Sequence, residues 1–67
     1  MKLASSNKLS ELMRLIAEFY VTKLENISIV LCKGEVFNVY CNAKRVTPCV
    51  YVQKDRYIFG IPDEDKP

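Results

Sequence analysis

The apolar residues of this chain change their period at Asn26, and that switch constrains the fold more than any other feature. From residue 7 to 25, Leu9, Leu12, Met13, Ile16, Phe19, Tyr20 and Leu24 recur at three- and four-residue steps. That spacing builds one apolar stripe along an amphipathic helix. Ser10, Glu11, Arg14, Glu18, Thr22 and Glu25 fall on the opposite side. Ser5, Ser6 or Asn7 can cap its start, and Asn26 tolerates the left-handed conformation that ends a helix. After Asn26 the pattern becomes extended. Ile27-Ser28-Ile29-Val30-Leu31-Cys32 is rich in β-branched residues and reads as a strand.

Turn signals divide the rest. Lys33-Gly34 places a glycine where a two-residue hairpin needs one. A second strand runs from Glu35 to Cys41, a third from Cys49 to Gln53 and a short fourth from Tyr57 to Ile61. Asn42-Ala43-Lys44-Arg45 and Lys54-Asp55 are the intervening turns. The expected fold class is α+β: an N-terminal amphipathic helix packed on one face of a three- to four-stranded antiparallel meander. Residues 1–61 form the single domain, and residues 62–67 form an acidic flexible tail. Pro48 conflicts with an internal third strand, because proline has no amide proton for the ladder. Either Ala43 to Pro48 is a loop, or a bulge accommodates the proline.

With 67 residues there is room for one small domain. Apolar residues make up 49% of the chain and charged residues 27%, which suits a packed core and not a disordered tail. No apolar run approaches the ~20 residues that span a bilayer, and Ser5, Ser6, Asn7 and Lys8 cut short any signal-like start. Three cysteines at positions 32, 41 and 49 match no CxxC pattern and cannot all pair within one chain. They read as small half-buried thiols in a reducing cytoplasm. No histidine is present, so neither a zinc site nor a neutral-pH general base is expected. There is no nucleophile elbow, phosphate loop or carboxylate pair for a metal. The chain is therefore expected to be no enzyme, with no cofactor and no metal.

Tight hairpins at Lys33-Gly34, Ala43-Lys44 and Lys54-Asp55 fix which face each side chain occupies. One face then holds Val30, Cys32, Phe37, Val39, Cys41, Val46, Val50, Val52, Tyr57, Phe59 and Ile61, the natural partner of the helix. The other holds Ile27, Ile29, Leu31, Val36, Asn38, Tyr40, Thr47, Cys49, Tyr51 and Ile58, and it is too apolar for a solvated surface. Exposed patches of that kind mark interaction sites, unless the register is wrong by one residue. In this register Cys32 and Cys41 lie about 20 Å apart along the hairpin at ~3.3 Å per residue, too far for a disulfide.

Two functions follow as expectations. The first is a small non-catalytic protein-interaction module: an inhibitor, adaptor, regulatory chain or small subunit that binds a partner or forms a homodimer. Its patch would be Ile29, Leu31, Val36, Tyr40 and Tyr51. The second is a nucleic-acid-binding domain. Residues 27–61 carry Lys33, Lys44, Arg45, Lys54 and Arg56 against only Glu35 and Asp55, with tyrosines and phenylalanines on the strands between. A formal net charge of +2 is modest for that second role.

Overall fold

A computed structural model describes residues 1–62. Strand β1 (Lys2–Ser6) leads into helix α1 (Leu9–Phe19), followed by a single 3-10 turn (Leu24–Asn26). Strands β2 (Ile27–Lys33), β3 (Val36–Cys41), β4 (Lys44–Gln53) and β5 (Arg56–Gly60) complete the chain. All neighbouring strands are antiparallel, in the order β1-β5-β4-β3-β2. The fold is α+β, as the change of period implied, with a helix against one face of an antiparallel sheet. The sheet has five strands where three or four were expected. The extra one is β1, whose KLASS sequence carries no alternation to announce it. It pairs with β5, so α1 crosses beneath the sheet from one edge to the other, touching β1, β5 and β2.

The core lies between α1 and the sheet. Leu12, Ile16 and Ala17 come from the helix, and Ile27, Val39, Val50 and Phe59 come one each from β2 to β5. Each large apolar side chain buried there contributes roughly 1.5–3 kcal/mol. Phe19 belongs to the expected apolar stripe but is 52% exposed, because the helix ends at that residue. It packs edge-on against Tyr20 and Phe59 at the margin of the core, and Ala17 takes the buried position instead.

The helix is shorter than the expected span of residues 7 to 25 at both ends. At the start, the Ser6 hydroxyl accepts the Lys8 amide proton and donates to the Glu11 carboxylate. Ser6 is thus buried with its polar atom satisfied, and it joins β1 to α1. At the end, the Val21 amide donates to the Glu18 carbonyl and the Thr22 amide to the Ala17 carbonyl, a Schellman arrangement. That places Val21 at φ 52°, where glycine is the usual occupant and a β-branched residue is strained. No glycine marks this stop, which is why the apolar spacing ran on to Leu24.

Turn geometry corrects the strand register. The first hairpin turns at Gly34-Glu35, one residue later than Lys33-Gly34, with Gly34 at φ +56°. Cys32 is then the extra residue of a bulge, since Leu31 faces Phe37 and Lys33 faces Val36. The one-residue shift turns β2 over. Ile27 and Ile29 join the helix side, and Val30 moves to the open side. The second turn is Asn42-Ala43, both at positive φ as a type I′ turn requires. The third is Lys54-Asp55, as expected, again with both residues at positive φ.

Pro48 sits inside β4, an internal strand, and a bulge resolves the conflict. Between the pairs Tyr40–Arg45 and Asn38–Cys49, β3 supplies Val39 alone while β4 supplies Val46, Thr47 and Pro48. The ladder makes no demand on the proline there. The same two extra residues restore the expected pairing of Val36 with Tyr51. The proposed acidic tail falls almost wholly on residues 63–67, which lie outside the described residues. None of the three cysteines forms a disulfide.

Candidate functional site

The open side of the sheet carries the odd positions of β4 from Cys49 to Gln53 and the even positions of β3 and β5. Three cross-strand rows compose it. Ser28, Tyr40 and Arg45 form the first, and Val30, Asn38, Cys49 and Gly60 the second. The third runs Val36, Tyr51, Ile58, Ser5. Gln53 and Arg56 pair beyond it, and the Arg56 guanidinium donates to the Ser5 hydroxyl at 3.4 Å. Ile58 is buried between Tyr51 and Ser5 although it lies outside the helix-side core.

The expected protein-binding patch is therefore divided. Val36, Tyr40 and Tyr51 do share the open face. Ile29 does not, because the register shift packs it against the core. Leu31 also turns to the helix side, where it stands opposite Phe37, yet it is 60% exposed. Lys33, not Leu31, stands opposite Val36. The open face is correspondingly more polar than alternation from the expected turns implied, with Ser28, Asn38, Gln53 and Ser5 among its apolar residues.

The basic candidates are divided in the same way. Lys33, Arg45 and Arg56 lie on the open face. Lys44 pairs with Cys41, whose side packs toward the helix, so the adjacent Lys44-Arg45 pair is split across the sheet. Lys54 occupies a turn. Sequence pattern did not single out the edge of β2 as such, where two adjacent large apolar side chains are exposed, as Phe19, Val21 and Leu24 are at the helix C-terminus. Val30 is 52% exposed and Leu31 60%, and Cys32 beside them is exposed too. β2 has β3 on one side and no other described strand on the other.

Other chemistry is sparse. A depression of about 720 Å³ beside the helix C-terminus is lined by Ala17, Glu18, Val21, Thr22 and their neighbours up to Asn26. It offers carboxylates and one amine but neither thiol nor imidazole. Among the described residues no cluster of three metal-binding side chains occurs, and no helix is long and apolar enough to cross a membrane. The Tyr20 phenol is held above its ordinary pKa, by burial first and by its electrostatic interaction with Cys41 second. Tyr20 packs against the core cluster at its margin. Comparison with protein-family models, with curated proteins and with solved structures finds no match.

Proposed function

We propose that this protein is a small non-catalytic interaction module whose working element is the bare edge of β2, and that its partner is a second copy of the same chain. The observation that carries this reading is an apolar seven-residue edge strand with Val30 and Leu31 exposed. Such an edge offers a row of unpaired amide and carbonyl groups to another strand. Lys33 and the Cys32 bulge blunt only its turn end.

A second copy fits by symmetry. Two β2 strands joined across a two-fold axis normal to the sheet run antiparallel with their helices on the same side. Directly opposed residues must then share a face, so only registers centred on a residue are allowed. Centring on Val30 pairs Ile29, Val30 and Leu31 directly, and the Cys32 bulge ends the regular pairing beyond them. Val30 then meets Val30 of the second copy on the open side. Leu31 meets the second copy's Ile29 on the helix side, twice, which covers both exposed side chains. A single strand pairing belongs to the small class of interfaces, under about 1,200 Å², so association should be reversible and concentration-dependent.

Light scattering over a range of concentrations tests this directly. The mass should rise toward a dimer, and Val30→Lys, which sets two charges against each other on the axis, should hold the protein monomeric and folded. Antiparallel neighbours have Cα atoms about 4.5–5.5 Å apart, within disulfide range. In a Cys32→Ser background, Val30→Cys should therefore form a covalent dimer on mild oxidation. A parent protein that stays monomeric throughout overturns the proposal, and a dimer without that crosslink overturns the register.

A further inference from the structure

The geometry points to a second site, separate from the β2 edge: the open face of the sheet binds single-stranded nucleic acid. Two independent features converge there. The first is charge. The five strands carry five basic residues, Lys2, Lys33, Lys44, Arg45 and Arg56, and not one aspartate or glutamate. Among the described residues the acids are Glu11, Glu18 and Glu25 in the helix and the 3-10 turn, and Glu35 and Asp55 in hairpin turns. The strands are thus free of carboxylates, and four of their five cations, Lys2, Lys33, Arg45 and Arg56, stand on the open face by register, whereas Lys8, Arg14 and Lys23 lie among the glutamates of the helical segment.

The second feature is the placement of the aromatic rings. Tyr40 lies directly opposite Arg45, with Cβ atoms at the ~4.5–5.5 Å separation of a cross-strand pair. Tyr51 lies opposite Val36, four residues along β3 from Tyr40, which sets the two rings roughly 13 Å apart along the strand direction. Asn38 lies between them, on the pair Asn38–Cys49, and offers an amide for a base edge. Arg45 closes one end of this track, and Arg56 with Lys33 the other. A flat ring beside a guanidinium is the arrangement that stacks an unpaired base and neutralises its phosphate. A duplex hides its base faces and has no use for the tyrosines, so the occupant is a single strand. A protein partner suits this face less well, because Ser28, Asn38 and Gln53 interrupt its apolar residues. The track lies within one copy of the chain and does not depend on pairing through β2.

The experiment is fluorescence anisotropy of a labelled oligothymidylate, with a duplex of mixed sequence beside it. The single strand should bind better than the duplex. With about three phosphates neutralised, its affinity should fall roughly tenfold or more between about 50 and about 200 mM salt. Tyr40→Ala and Tyr51→Ala should each weaken binding by about five- to a hundredfold, while Tyr→Phe at the same positions should keep most of it. Arg45→Gln with Arg56→Gln should flatten the salt slope by about 1.4. The chain has no tryptophan, so quenching of tyrosine fluorescence in the unmodified protein reports stacking even if an alanine variant fails to fold. Absence of binding at low salt, equal affinity for duplex, or no quenching on saturation overturns the inference.

Discussion

The two edges of the sheet are built on opposite plans. β1 is five residues long, polar, and broken by an irregularity at Leu3. It is also tied down along its length. The Ile61 amide donates to the Met1 carbonyl at 2.8 Å, Ser6 is hydrogen-bonded into the first turn of α1, and the helix packs against it. Gly60 allows the closest approach, since a Cβ there would run into the Met1 carbonyl oxygen and the Lys2 backbone. β2 is seven residues long, mostly β-branched or aliphatic, and has no other described strand along its outer side. A protein guards its edges by shortening, bending or charging them. Here those devices accumulate at β1, while β2 has only its terminal Lys33 and one bulge. The difference teaches that exposure of β2 is not a general property of so small a sheet.

The largest effect should come from the element both edges share. α1 contacts β1 and β2, and Ile16 is fully buried at its centre. Ile16→Ala should cost about 2–5 kcal/mol, since the cavity sits between helix and sheet where neither can collapse freely. In a domain whose whole stability is of the order of 5 kcal/mol, that lowers the melting temperature sharply. Thermal melting by circular dichroism checks it. A shift of only a degree or two would mean that the helix does not clamp the two edges.

A smaller and local effect is expected at Gly60. Gly60→Ala forces the backbone of Met1 and Lys2 away from β5, an overpacking cost of about 1–3 kcal/mol. Hydrogen exchange distinguishes this from general destabilisation. Amides of β1 should lose protection at once, while those of β3 and β4 should retain it. Uniform loss of protection across the sheet would show that β1 is no separate appendage but part of the cooperative core.

How far the sequence could carry this comparison depends on the strength of each local signal. The helix and the β2-to-β5 order were legible because apolar spacing is a long-range pattern, and a few misplaced residues do not erase it. β1 was not legible, because Leu3-Ala4-Ser5-Ser6 alternates nothing and gains its strand conformation only by pairing with β5 some fifty residues later. The faces of β2 hinged on one turn. Choosing Lys33-Gly34 over Gly34-Glu35 moved Ile29 from core to surface and Val30 from surface to face partner, because side chains alternate with a period of two. Of the expected patch, Val36, Tyr40 and Tyr51 survived since the β3–β4 bulge restored their register. No local signal announces a bulge around Val46, Thr47 and Pro48 beyond the proline itself.

The sharpest use of the comparison is a substitution expected to leave the fold almost untouched. Leu31 faces the helix side by register but is 60% exposed, because it lies toward the turn end of β2, beyond the buried start of the strand at Ile27. Leu31→Lys therefore removes little buried area and introduces no buried charge, and its effect on stability should stay within about 0.5 kcal/mol. Its effect on association should be larger, because the lysine would have to pair with Ile29 of a second copy and lose its hydration. Melting and light scattering on the same sample separate the two quantities. An unchanged melting temperature with the mass reduced to that of a monomer is the result expected of a free edge. If Leu31→Lys instead unfolds the protein while Gly60→Ala does not, the roles are reversed: β2 is then the structural edge, and β1 the dispensable one.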